Sequence, residues 1–234
     1  MKNISATSIK LYEQCPRLWQ WKYIYKLLQP YNEAFDIGTL YHLVLQKYYE
    51  APIRNDETRN SIITWLNREI IKDKTDEEFA KFGLIRTMFE KYIEYPLLDD
   101  IKTVEIEYEF TVKTDIVPVP LYGFMDRLVE GGVIDYKTTS ADYKEKDVIE
   151  NVQTDLYAYV YWMVFGTIPT VYYHVMNKKK ANKPNYEPQI FELKRTKEDM
   201  DAFEERLLRF YNNVMANNFK AKYQKGYWLY KQYI

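Results

Sequence analysis

A single cysteine, Cys15, stands in a chain of 234 residues, which excludes an intramolecular disulfide and any zinc or iron–sulfur site built from several cysteines of this chain. There is no signal peptide and no apolar run long enough to cross a bilayer. The expected setting is therefore soluble and cytoplasmic, or the host cytoplasm for a phage-encoded protein, with no membrane partner. An excess of positive charge is missing too. Lys and Arg number 33 against 34 Asp and Glu, a net charge of -1, so any phosphate-binding surface must be local. Internal repeats and low-complexity linkers are absent, and glycine is scarce, with 7 residues.

What is present is apolar and aromatic. Hydrophobic residues make up 47%, enough for one sizeable core or a core with a helical annex. Aromatics reach 17%, with 24 tyrosines, a side chain that fills cores and also stacks on bases.

The first hundred residues read as helices. Ser5, Thr7 and Ser8 are candidate caps, and Pro16 starts a segment expected over 17–28. Apolar spacing predicts further helices over 35–49, 57–72 and 76–95, the last stopped by Pro96. The pattern then switches to a period of two. Val104, Ile106, Tyr108 and Phe110 alternate with Glu105, Glu107 and Glu109, which predicts a strand with a solvated acidic face. Strands over 119–129 and 133–139 follow, joined at Gly131-Gly132, then a helix over 147–165, strands over 170–176 and 189–193, and a helix over 197–217. The order predicts an α/β (α+β) single domain: a mainly helical part over 1–98, an αβ core over 99–218 and an aromatic, basic tail over 219–234.

The hairpin defines a candidate site. With Gly131 and Gly132 as its loop, Glu130 pairs with Val133 and Asp126 falls opposite Lys137. Asp135 and Lys137 share a face, and Asp126 lies diagonal to Asp135 at roughly 7–8 Å. Two carboxylates so placed can converge on one hard cation, Mg²⁺ or Mn²⁺, and the adjacent lysine can orient water or offset developing charge. The bland alternative is a cross-strand salt bridge, which is common and worth little.

Gly123-Phe124-Met125-Asp126-Arg127, Val133-Ile134-Asp135-Tyr136-Lys137-Thr138, and then Gln153 and Tyr157 resemble the G-x-x-D-R, D-Y-K-T and Q-x-x-x-Y motifs of PD-(D/E)XK nucleases of the RecB-like branch. Those include CRISPR-associated adaptation nucleases and AddB-type helicase-nucleases. The resemblance implies a restriction-endonuclease-like core, with a mixed central sheet flanked by helices. It implies Asp126 and Asp135 as metal-binding carboxylates, the Tyr136 carbonyl as a further ligand and Lys137 as the catalytic lysine. Gly38-Thr39-Leu40-Tyr41-His42 resembles the helix that carries the family's histidine ligand; packing is the bland alternative for His42. Gln153 and Tyr157 lie four apart on one helix face and, by resemblance, support the site and the nucleic-acid strand. His174 has no such match and is expected in a strand.

Ser5 to Arg17 resembles the start of relatives with an iron–sulfur cluster, but the other cysteines are missing, so no cluster is expected. Cys15 is read as a small buried apolar residue in a helix. Aromatic packing among Trp19, Trp21, Tyr227, Trp228 and Tyr230 is expected to tie the ends together instead. Lys178, Lys179 and Lys180, with Lys183, form a basic run that either is solvated loop or tracks phosphates.

These readings make the chain a metal-dependent DNA nuclease, an exonuclease or end-processing enzyme of recombination or repair. It would act on single strands or duplex ends, with a helicase or recombination protein as possible partner. The alternatives are a catalytically weak or inactive nuclease-fold module that binds DNA or assembles complexes, and a metal-free structural protein.

Overall fold

Ser5 opens the first helix, its Oγ accepting the Ser8 amide at 3.2 Å as the N-cap of α1 (Ala6–Gln14). The computed structural model describes residues 1–27, 33–71 and 76–222. Cys15 takes extended backbone and interrupts the helical run, and Pro16, which has no amide hydrogen to lose, starts α2 (Pro16–Tyr23). Cys15 is thus buried at a break between two helices rather than inside one. The second helix is also shorter than its expected span. Next come α3 (Glu33–Glu50), α4 (Asp56–Ile71) and α5 (Asp76–Glu94), each within two residues of its expected bounds.

Five strands follow: β1 (Thr103–Val112), β2 (Leu121–Val129), β3 (Gly132–Thr139), β4 (Thr170–Asn177) and β5 (Gln189–Lys194), lying side by side in that order. All neighbours are antiparallel except β3 and β4, which run parallel. A parallel step needs a crossover, here α6 (Glu145–Ile149) and α7 (Val152–Phe165). One helix was expected across this stretch. Asn151 divides it, because its side chain accepts the Gln153 amide at 3.1 Å and so caps α7 afresh. The last described helix is α8 (Lys197–Met215), opened by a reciprocal Thr196–Asp199 capping box.

Both faces of the sheet are covered. On one, Met125, Leu128, Val133, Tyr173 and Val175 pack with α1, α7 and α8. On the other, Val129, Ile134, Tyr136 and Met176 pack with α3, α4 and α5. The N-terminal helices therefore share a core with the strands, an α+β architecture as expected. Burying each large apolar side chain contributes roughly 1.5–3 kcal/mol, so both layers weigh heavily in stability.

Trp19 stacks on Phe219 at 5.8 Å, and the Tyr12 hydroxyl donates to the Asn218 carbonyl at 2.5 Å, so the first helices meet the end of the described chain. Tyr227, Trp228 and Tyr230 lie outside the described residues. No helix among the described residues is long and apolar enough to cross a membrane.

Candidate active site

The turn of the central hairpin is Glu130-Gly131, not the two glycines. Gly131 has φ +75°, which glycine adopts without steric cost. Gly132 is already in β3, paired with Val129 on one side and Thr170 on the other; β4 captures it into the sheet. The expected register is therefore corrected: Leu128 pairs with Val133 and Arg127 with Ile134. One step further Asp126 falls opposite Asp135, not Lys137.

There the two strands part. β2 and β3 share three pairs, while β2 keeps eight with β1 and β3 keeps eight with β4. Asp126 sits in this fork, and its Oδ2 accepts the Tyr136 amide at 2.7 Å where a backbone carbonyl would otherwise have bonded. Within a strand a residue's N–H and C=O point to the same side, so the Tyr136 carbonyl also opens into the fork. Its side chain goes the other way, into the tyrosine-rich layer beneath α3 and α5.

His42 reaches the fork from α3, with Nδ1 3.4 Å from Asp126 Oδ1. The helix crosses β3 at Gly38, where an added Cβ would come to rest 3.5 Å from the Thr138 hydroxyl. Gly38 and His42 are one turn apart and share a face, which aims the imidazole at Asp126.

Glu107 is the residue the sequence reading missed. Its neighbours Glu105 and Glu109 are exposed as expected, but Glu107 is half-buried, and it offers a carboxylate oxygen within 4.8 Å of ligand atoms of His42 and Asp126. The reason is a local break in alternation. Glu107 has φ +50°, rare for a side-chain-bearing residue. Ile106 before it packs with the α3–α5 layer and Tyr108 after it with the α7–α8 layer. The ladder with β2 carries Ile106 opposite Arg127 and Tyr108 opposite Met125, so Glu107 faces Asp126 between them. No local sequence signal marks this; only the β1–β2 register does.

A second set of contacts holds the lysine. Lys137 Nζ lies 2.7 Å from Asp135 Oδ2 and donates to Gln153 Oε1 at 2.9 Å. Gln153 Nε2 donates to the Tyr157 hydroxyl at 2.5 Å, and that hydroxyl donates to the Phe124 carbonyl at 2.5 Å. Strand β3, helix α7 and strand β2 are thus linked across the fork. Tyr157 is buried, and its hydroxyl accepts from Gln153 and donates to the Phe124 carbonyl.

Electrostatics set the charges. Burial alone would lower the His42 pKa, but the neighbouring Asp126 carboxylate outweighs it and raises it to about 9. Burial and the charge of Asp126 push Glu107 up to about 7. Asp126 is itself held below the usual carboxylate range: burial opposes ionisation, but His42 and Lys137 prevail. Asp135 is raised by burial and by Asp126, against the pull of Lys137. Lys137 stays charged, since Asp135 and Asp126 overcome its burial.

Divalent cations fit this donor set. Asp135 is fully buried; Lys137 is its charged partner, 2.7 Å from Oδ2, while Oδ1 has no hydrogen-bond partner. A buried carboxylate in that state calls for further positive charge. Its neighbours offer oxygen and imidazole ligands of the type that magnesium and manganese accept.

The remaining candidates lie further out. His174 is buried in β4 as expected, Nε2 3.3 Å from the Tyr95 carbonyl, and burial lowers its pKa to about 4. Lys180 pairs with Asp142 at 2.5 Å. Lys179 is exposed, and the Lys178 amide bonds the Thr139 carbonyl at 2.8 Å, which starts the basic run beside the end of β3. Arg127, next to Asp126, is wholly buried. It donates to the carbonyls of Leu97, Leu98 and Ile101 and to Thr103 Oγ1, at 2.9–3.2 Å, with its guanidinium 3.8 Å from the Tyr49 ring centre.

A carboxylate pair, a following lysine and a forked mixed sheet define a nuclease of the PD-(D/E)XK type. The model of the PD-(D/E)XK nuclease superfamily matches residues 3–226, and the chain belongs to that superfamily. Among solved structures it is similar to that of a candidate exonuclease from Eubacterium rectale. The two are 13% identical with a TM-score of 0.57, over 94% of this chain and 83% of the other, a likeness of fold. It also aligns with the structure of SSO0001 at 14% identity and a TM-score of 0.48, over 95% and 80% of the two chains. No curated protein matches by sequence.

Proposed function

We propose that this nuclease is a divalent-cation-dependent deoxyribonuclease that trims DNA ends in recombination or repair, working as an exonuclease of the RecB-like branch. The observation that carries the reading is the convergence of His42, Glu107 and Asp126 ligand atoms within 4.8 Å of one another, beside a buried Asp135 carboxylate paired with Lys137. Those three residues, Asp135 and the Tyr136 carbonyl would hold Mg²⁺ or Mn²⁺. When bound, such an ion polarises the scissile phosphate and acidifies water.

The chain's own residues do the rest. Lys137 brings a fixed positive charge to offset the negative charge that grows on the phosphate oxygens, and Gln153 holds its ammonium in place. Tyr157 fixes Gln153 and β2 together. Lys178 and Lys179 would guide the backbone of the strand toward the fork, with a helicase or recombination partner supplying opened ends. The whole chain works as one nuclease domain, a reading supported by the α3–α5 layer that packs on the strands and delivers His42.

The test is cleavage of linear and circular DNA, single- and double-stranded, with Mg²⁺, Mn²⁺ or EDTA. Expected is metal-dependent digestion of linear DNA, lost by about 10²-fold or more in Lys137→Ala. Tight binding without cleavage by folded parent protein would overturn the enzymatic reading. Cleavage of closed circles at the rate of linear DNA would overturn the exonuclease.

A further inference from the structure

Phe124 lies two residues before Asp126 on β2, and its side chain is 42% exposed. Met125 between them is fully buried against the α7–α8 layer, and Phe124 and Asp126 lie about 6–7 Å apart along the strand. An exposed phenyl ring is commonplace by itself; three observations set this one apart. Its backbone is locked to the catalytic machinery, because the Phe124 carbonyl accepts the hydroxyl of Tyr157, which in turn holds Gln153 and through it Lys137. Tyr122 packs edge-on against it, ring centres 5.6 Å apart at 80°, and braces the ring from one side. Its polar neighbours are acidic: Glu109 pairs with Phe124 across the β1–β2 ladder, and Glu107 faces Asp126 one step on.

An aromatic ring bordered by carboxylates rejects phosphate and accepts a neutral π face. We infer that Phe124 is a stacking platform for one unpaired base of the strand whose phosphate enters the fork, with Tyr122 as its brace. The inference rests on the reading of the fork as the place where a nucleic-acid strand is cut, and it adds a substrate preference. Inside a duplex both faces of a base are covered by its neighbours. Only a single strand, or the last nucleotides of a frayed end, can lay a base on the ring. Base–aromatic stacking tolerates any sequence, so the platform selects strandedness without selecting sequence.

The experiment uses single-stranded oligonucleotides carrying one 2-aminopurine, moved stepwise along the strand. They are titrated with the full chain in chelator, where binding is read without cleavage. The parent is expected to quench the fluorophore strongly at one position. Phe124→Ala should abolish that quenching and raise Kd about tenfold, Phe124→Leu should behave like Ala, and Phe124→Trp should restore both. With Mg²⁺ present, the Ala variant's loss on single strands should fall mainly on KM, and blunt duplex should be affected less.

Retained quenching in Phe124→Ala, or full affinity in Phe124→Leu, would overturn the platform, as would a parent that quenches at no position. A parent that quenches but never cleaves leaves the platform standing while removing the nuclease reading, so the two failures are distinguishable.

Discussion

Tyr136 separates two regions that treat the same side chain in opposite ways. In the fork, His42 lies 6.4 Å from its ring centre; in the tyrosine-lined layer behind, His174 lies 6.1 Å from it. Both histidines are largely shielded from water. His42 has a carboxylate within reach and holds its proton to about pH 9, whereas His174 has a backbone carbonyl and rings, and stays neutral down to about pH 4. Burial acts alike on both; the partner decides. The fork concentrates charge that the fold must tolerate, and the layer behind links the Tyr49, Tyr92 and Tyr136 hydroxyls in a row, with Arg127 against the Tyr49 ring.

Adjacent residues break the two regions separately. Arg127→Ala strips partners from three carbonyls and leaves a void under Tyr49, and should cost about 3–5 kcal/mol, read by urea denaturation. Asp126→Asn should leave the fold intact but remove cleavage by about 10²-fold or more. In that variant the His42 pKa, followed by NMR, should drop from about 9 while His174 does not move. An unchanged His42 titration would show that Asp126 is not its partner.

Proton linkage gives the next effect. The His42 pKa is raised above the unfolded value of about 6.5, so its stabilisation is full below that pH and is lost as pH climbs through about 9. The His174 pKa is depressed, so its contribution is full above about 6.5 and falls away as pH drops toward 4. Glu107, raised to about 7, loses stability as pH rises from about 4.5 to 7 and offsets His174 in that range. Asp135, raised to about 6, loses stability over the same range, so in chelator the melting temperature should fall as pH rises from about 4.5 and go on declining toward pH 9. Added Mg²⁺ or Mn²⁺ should remove most of the decline. A decline that ended near pH 7 would contradict the assignment to His42.

Smaller effects refine the contrast. Tyr49→Phe removes the 2.5 Å bond between the Tyr49 and Tyr92 hydroxyls and should cost about 1 kcal/mol without changing cleavage. Gly38→Ala should be nearly neutral in melting and in activity, because its Cβ would meet the Thr138 hydroxyl at ordinary van der Waals distance. A large loss there would mean that α3 must approach β3 more closely than it does here.

Much of this was legible from residue types and spacing. The helix that carries His42 shows in its apolar spacing, the strand–turn–strand around Asp126 and Asp135 in its turn glycines, and the crossover before β4 in an almost wholly apolar run. What was hidden depends on non-local pairing. The hairpin register turns on Gly132, whose pairing with Thr170 cannot be read from the hairpin itself. Glu107 stands in a flawless period-two pattern, and only its positive φ and the partner strand pull it from solvent into the fork. The break at Asn151 is a competition between a cap and a continued helix, which local propensity leaves close to balanced. Lys180 looked like its neighbours until the fold brought Asp142 beside it.

The links from Lys137 to Phe124 also have a direction. An ammonium can only donate, so Gln153 must turn its oxygen toward Lys137 and its amide hydrogens toward Tyr157, whose own proton is then sent to the Phe124 carbonyl. Every dipole in the row is thereby oriented by one charge. If Lys137 gave up its proton, its amine could accept as well as donate, so Gln153 could turn over and draw the Tyr157 proton away from the Phe124 carbonyl. The strand that carries Asp126 would then sense, through three hydrogen bonds, whether the lysine is charged.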